Sequence, residues 1–349
     1  MKRKTFLNNL ITYGIVTAAF ILCTVLISRK QMSHSMQAML VPICCYIVLA
    51  VSLNLTVGIS GELSLGHAGF MAVGAFGGMV FSTWMAAAAP GMSDPLRLLF
   101  SILVGGVLSM MIGILVGIPV LRLRGDYLAI VTLAFGEIIR NILNMVYISL
   151  EGTSLHFSFG DPNLPGKILM NGAAGISGVK MIASLTAGFI LVMFTLFVVL
   201  NLINSRTGRA IMAARDNRIA AESMGISITK YKMIAFVTSA ALAGMAGALF
   251  GLNYYALQPA KFNIDTSIQI LVFVVMGGIG SMRGSVIAAT LLYILPELLR
   301  AFSKYRMLIY AVMLILMMLL SNNRLLRYLI RNMIPGRIKR AKAEGGIRA

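Results

Sequence analysis

The chain has 349 residues, of which 58% are hydrophobic and only 12% charged, and its formal net charge is +19. Soluble domains carry roughly 25% charged residues, so this composition excludes a large water-soluble core and points to a polytopic membrane protein. The excess of Lys and Arg sits in loops and termini, where membrane topology explains it; no nucleic-acid-binding motif is present, and no nucleic-acid partner is expected.

A spanning helix needs about 20 apolar residues. The start, MKRKTFLNNL, has the charge of a signal peptide, but the apolar run that follows ends at Ser28-Arg29-Lys30 with no small-residue cleavage site. Residues 10–27 therefore read as an uncleaved first span. Further spans are predicted at 38–57, 66–85, 96–118, 128–148, 181–203, 233–252, 268–282, 284–299 and 307–320. The last three are short or interrupted by glycine. The fold class is thus an all-α integral membrane protein, a polytopic helical bundle of about 8–10 transmembrane helices.

Charge sets the orientation. With Lys2, Arg3 and Lys4 inside and an even number of spans, three basic segments fall on the same side. These are the turn LRLRGD with Arg122 and Arg124, the loop 205–232, and the tail 322–349. Both termini are then cytoplasmic. Arg29, Lys30, Arg300, Lys304 and Arg306 fall outside as exceptions. The segment 149–180, rich in Gly, Pro, Asn and Ser, lies outside and reads as an ordered loop or short surface helix.

Cys23, Cys44 and Cys45 lie in apolar runs and read as small buried hydrophobes, and His34, His67 and His156 are scattered, so no metal site is expected. The oddest apolar stretch is NLTVGISGELSLGHAGF, residues 54–70. It packs Asn54, Thr56, Ser60, Glu62, Ser64 and His67 among Gly58, Gly61, Gly66 and Gly69. Bare backbone groups cost several kcal/mol each in lipid, so a helix broken here must face protein or a water-filled path. The plainer alternative is a tight cytoplasmic turn with Glu62 and His67 in water. A second glycine cluster, MGGIGSMRGS, holds Gly277, Gly278, Gly280 and Gly284. It reads as a trace of internal duplication or as close helix packing. Glu137 and Arg140 stand three apart in the fifth span, on one helix face, as a pathway group or a structural ion pair. Glu297 beside Pro296 raises the same question nearer a span end.

In the loop 205–232, Ile211, Met212, Ala214, Ile219, Ala220 and Met224 fall at helical spacing, and Gly225 stands where a helix would stop. The helix offers a face to a soluble partner or rests on anionic lipid. G-x-x-x-x-G-K-[ST], G-x-S-x-G and H-E-x-x-H do not occur, and no catalysis is expected on this chain.

The run AAESMGI followed by a new apolar helix resembles the conserved cytoplasmic loop of ABC importer membrane subunits. The wider match is to the permease subunits of branched-chain amino acid importers. It runs through VSLNLTVGISGELSLGHAGFMAVGAF, RGDYLAIVTLAFGEIIRNI, NGAAGISGV, the stretch from GRAIMAARDN to AGALFG, and GGIGSMRGSVIAATLLYILPELLR, covering most of residues 51–300. The resemblance implies a single permease domain over 1–349, with 205–232 as the loop that couples to an ATPase. Arg215, Ala220, Ala221, Glu222, Ser223, Met224 and Gly225 would carry that coupling, with Ala220–Gly225 as the docking site framed by Arg215. Asn54, Gly58, Gly61, Ser64, Gly66, His67 and Glu137 are the candidates for the substrate pathway. It implies ABC ATPase subunits that bind the ATP, no cofactor on this chain, a second homologous permease, and an extracytoplasmic substrate-binding protein received partly by 149–180. The setting would be the lipid of a prokaryotic cell membrane. The implied substrates are leucine, isoleucine and valine. Relatives with similar motifs move urea or short amides, and an ion-coupled secondary transporter is the alternative machine; it would need ion ligands at the midplane and no docking helix.

Overall fold

The computed structural model describes residues 2–29, 33–123, 125–161, 164–299 and a few positions between 308 and 315. It divides into two compact units, Met1–Leu291 and Leu292–Ala349, and all that follows concerns the first. Among the described residues, seven helices are long and apolar enough to cross a membrane. They lie in α2 (His34–Asn54, prolonged to Ile59), α3 (His67–Ala88), α4 (Asp94–Val120), α5 (Asp126–Met145), α6 (Leu185–Asn204), α9 (Ile228–Gly251) and α10 (Ile264–Gly277). Helix α1 (Lys2–Ser28) adds the apolar stretch Thr12–Ser28, and α11 (Met282–Leu298) adds 17 residues. The expected last span, 307–320, falls almost wholly outside the described residues. The chain is a polytopic helical membrane protein.

Helix α9 is the packing centre and touches α2, α3 and α4. In lipid, helices associate through close van der Waals contact, and small residues allow it. The sequence of α9 supplies them: Ala240, Ala243, Gly244, Ala246, Gly247 and Ala248 are all buried. A Cβ placed on Gly74 of α3 would lie 2.0 Å from the Gly244 carbonyl oxygen, so the two backbones touch there. Ser109 of α4 donates to the Phe70 carbonyl oxygen at 2.8 Å, closing the α3–α4 side. The outer face of α4, with Leu99, Leu103, Met111 and Leu115 exposed, is an apolar stripe of the kind that meets lipid.

The segment 149–180 is neither a loop nor a surface helix. It forms most of a five-stranded antiparallel sheet, ordered β2-β1-β3-β4-β5. The strands are β1 (Val146–Glu151), β2 (Ser154–Phe159), β3 (Lys167–Asn171), β4 (Ile176–Ser177) and β5 (Ala256–Leu257). The runs VYISLE and SLHFSF alternate around a two-residue turn, where Gly152 supplies a φ of +62°. Hence α5 stops at Met145, and the last residues of the predicted span are strand instead.

The loop 205–232 holds two helices rather than one. Helix α7 (Arg206–Asp216) and helix α8 (Arg218–Ser223) are separated by Asn217, whose backbone is extended (φ −151°, ψ 105°). Asn217 Oδ1 caps α8 by accepting from the Ala220 N–H at 3.1 Å. Gly225, at φ +78°, ends the element as its position in the sequence predicts. By connectivity, the sheet follows α5 and precedes α6, whereas α7 and α8 join the end of α6 to the start of α9. Sheet and loop therefore lie at opposite ends of the helices.

Candidate functional site

After Asn54 the α-helical ladder loosens into a five-residue π-helical turn, Leu55–Ile59. The Ser60 N–H reaches the Leu55 carbonyl and the Glu62 N–H the Thr56 carbonyl, each at 3.1 Å. The chain is then irregular until α3 begins at His67, with Gly61 at φ +75°. The ring of Phe70, in the first turn of α3, packs edge-on against Phe236 at 5.5 Å. Phe236 lies eight residues, about 12 Å, along α9. The start of α3 thus packs along a spanning helix, while Gly61 and Leu63 within the break are exposed.

The polar residues of the break are less exposed than these two. Glu62 is ion-paired with Lys232 of α9, and the two side chains are only 12% and 15% exposed. His67 is buried and hydrogen-bonded to Ser52 Oγ at 2.9 Å. The reading of Glu62 and His67 as solvated turn residues is set aside. The hydroxyls of Thr56, Ser60 and Ser64 are buried with no partner among the described residues. Buried polar groups are rarely left so, and an ordered water, an ion or a ligand is the usual partner in such cases.

Asn54 draws the two glycine clusters together. Its Oδ1 accepts the Gly280 N–H at 2.8 Å, and its Nδ2 donates to Ser285 Oγ at 2.7 Å. Gly58 sits directly on this turn: a Cβ there would lie 2.4 Å from the Gly280 nitrogen. On the other side, Gly66 lies against the Thr132 carbonyl of α5, which a Cβ would approach to 2.5 Å. The Leu65 N–H donates to Thr132 Oγ1 at 3.0 Å. The break is therefore clasped by α5, by α9 and by the α10–α11 turn.

It is also clasped by the loop. Arg215 of α7 donates from Nη1 to the Gly58 carbonyl oxygen at 2.8 Å. The same guanidinium binds Asp216 Oδ1 through Nε at 2.9 Å and Nη2 at 2.8 Å. The Arg215 side chain lies across Gly61, where a Cβ would come within 2.6 Å of Arg215 Cγ. Arg215, a coupling candidate from the sequence, reaches the break while its side chain stays 37% exposed. Ala221, placed in the docking site by the sequence, is 4% exposed and packs inward, so it is no docking knob. Ala220, Glu222, Ser223, Met224 and Gly225 are exposed, with Met224 at 80%. Glu222 is held by Arg218 Nε at 3.1 Å. The Glu62–Lys232 pair was missed; two opposite charges 170 residues apart give no spacing signal.

Glu137 stands apart from these contacts. It pairs with Arg140 at 2.6 Å and borders a narrow cleft between the start of α3, the middle of α5 and the start of α10.

Residues 35–320 match the family model described as "Branched-chain amino acid transport system / permease component". The chain belongs to this family. It is 34% identical to the "High-affinity branched-chain amino acid transport system permease protein LivM" of Salmonella typhimurium over 342 residues, covering 91% of this chain and 74% of that protein. To LivM of Escherichia coli it is also 34% identical, covering 78% of this chain and 66% of the relative. The permease protein LivH of Escherichia coli is 32% identical over 117 residues, a third of this chain (33%) and 38% of that protein. No solved structure matches the chain. The broken helix and the loop described above thus belong to a membrane transport subunit.

Proposed function

We propose that this chain is the membrane-spanning permease subunit of an ATP-driven ABC importer that carries leucine, isoleucine and valine into a prokaryotic cell. The observation that carries the mechanism is the hydrogen bond from Arg215 to Gly58, because it ties a solvent-exposed loop to a break inside the spans. The chain is non-catalytic. Partner ATPases hold the ATP and dock on the exposed face of α8 at Ala220, Glu222, Ser223, Met224 and Gly225. Movement of α7 and α8 reaches Gly58 through Arg215, and Glu62 through the Lys232 pair at the start of α9. Asn54 passes the displacement to the α10–α11 turn. A second homologous permease completes the pore. An extracytoplasmic substrate-binding protein is received at the end that carries the sheet. Both termini and the basic loop lie in the cytoplasm of a cell whose membrane the chain crosses.

The pathway suits its cargo. Branched-chain amino acids are zwitterions with apolar side chains. Glycine backbone, the hydroxyls of Thr56, Ser60 and Ser64, and apolar walls supply polar contacts without a fixed charge at each step. The similarity to branched-chain amino acid permease proteins supports the substrate class. Uptake of labelled leucine by vesicles containing the assembled complex, with ATP and binding protein, tests the reading. Leucine uptake that needs ATP supports it. Uptake driven by an ion gradient without ATP, or uptake of urea or short amides in place of leucine, contradicts it.

A further inference from the structure

We infer that the Glu137–Arg140 pair of α5, with the cleft beside it, is a binding site for the zwitterionic head of an apolar α-amino acid. The site rests on the proposed transport of branched-chain amino acids.

Glu137 lies 11 residues into α5, about 16 Å along a helix of roughly 30 Å. It is thus near the middle of a span. Arg140 Nε and Nη2 meet Glu137 Oε2 at 2.8 and 2.6 Å, and the side chains are 28% and 22% exposed. A charged pair open on one side cannot face hydrocarbon cheaply. That side therefore meets a water-filled path or another subunit. Asn141 and Asn144 continue the polar face, and α5 is the least buried of the seven candidate spans, at 17%.

The pair has the charge pattern of the ligand in reverse. An amino acid brings one ammonium and one carboxylate on a single carbon. Glu137 can accept the ammonium while the Arg140 fork takes the carboxylate, and the two residues satisfy each other when the site is empty. No uncompensated charge is buried in either state, which is the costly case. Glu137, but not Arg140, lines the cleft, whose walls mix Leu65, Leu133, Phe262 and Ile264 with the polar Asn263 and Ser267. The cleft is pinched, so entry requires α5 to move from α3 and α10. Such a shift would break the Leu65–Thr132 hydrogen bond and part the close contact of Gly136 with Gly66 and Gly69.

The test uses the assembled complex in membrane vesicles, with Cys23, Cys44 and Cys45 replaced by alanine and Leu133→Cys as a reporter in the cleft. Modification of that thiol by a water-soluble methanethiosulfonate is timed during ATP turnover. Excess leucine slows it about tenfold, equivalent to roughly 1.4 kcal/mol. 4-Methylpentanoate and isoamylamine, each carrying one of the two charges, protect far less. In the Glu137→Gln/Arg140→Gln background, which leaves no unpaired charge, protection by leucine is lost while the ATPase still copurifies. Protection that survives the double substitution overturns the site. If that variant fails to assemble, the analogues decide: equal protection by leucine and by either singly charged analogue overturns it. Leucine uptake by the unaltered complex is measured alongside. Uptake without protection overturns the site alone, and absence of any branched-chain uptake overturns the transport reading itself.

Discussion

Arg215 Nη1 and the Gly58 carbonyl oxygen, 157 residues apart, are joined by a 2.8 Å hydrogen bond. The acceptor is a carbonyl in a π-helical turn, where the regular ladder does not use it fully. A charged donor makes the bond one of the stronger kind, about 1.5–3 kcal/mol. It joins the loop to the broken span directly.

Gly58 should tolerate no side chain. A Cβ would lie 2.1 Å from Asn54 Oδ1 and 2.4 Å from the Gly280 backbone nitrogen. Gly58→Ala is expected to destabilise by about 1–3 kcal/mol through overpacking and to abolish uptake. Gly14→Ala, in the interior of α1 with nothing near its Cβ among the described residues, should instead be neutral or stabilise by up to about 1 kcal/mol. Thermal unfolding of the purified complexes compares the two.

Asn54→Leu should cost about 0.5–1.5 kcal/mol, because it removes the bonds to the Gly280 N–H and to the Ser285 hydroxyl while water can take up the exposed Gly280 N–H. Uptake should fall more than ATP hydrolysis, since the α10–α11 turn loses its tie to the break. Parallel assays of hydrolysis and uptake check the difference.

Glu62 and Lys232 should behave as a pair. Glu62→Gln or Lys232→Met alone leaves a largely buried charge without its partner, and each is expected to destabilise by up to about 3 kcal/mol. The double variant should recover most of that loss. A double-mutant cycle on thermal unfolding measures the coupling, and additive losses would show the pair to be unimportant.

Met224→Arg places a bulky charge on the exposed end of α8 and should abolish copurification of the ATPase while insertion stays normal. Ala221→Arg should instead lower the amount of folded chain, because Ala221 is packed inward. A pull-down at matched permease levels separates the two effects. Equal ATPase recovery with Met224→Arg would place the docking face elsewhere.

The spans were legible because lipid demands long apolar runs: α3, α4 and α6 lie within a few residues of the predicted limits. Gly225 was legible as a stop because a positive φ favours glycine. The sheet was not. Its strands VYISLE and SLHFSF are short, and loop-like Gly and Pro separate them, so composition masked the alternation. The split of α7 from α8 at Asn217 was hidden because the apolar spacing runs on through both. The glycine-rich break was visible as backbone freedom. Its clasp by Arg215, Lys232 and Asn54 was not, because long-range polar contacts leave no periodic trace.

The central claim is that Arg215 couples the ATPase-facing loop to the broken helix. It is tested most directly by leucine transported per ATP hydrolysed in the reconstituted complex carrying Arg215→Met, which keeps the aliphatic contact with Gly61 and removes the bond to Gly58. The account predicts a complex that assembles and hydrolyses ATP near the parent rate but moves about tenfold less leucine per ATP, the loss of roughly 1.4 kcal/mol of coupling. An unchanged ratio of leucine to ATP would contradict it.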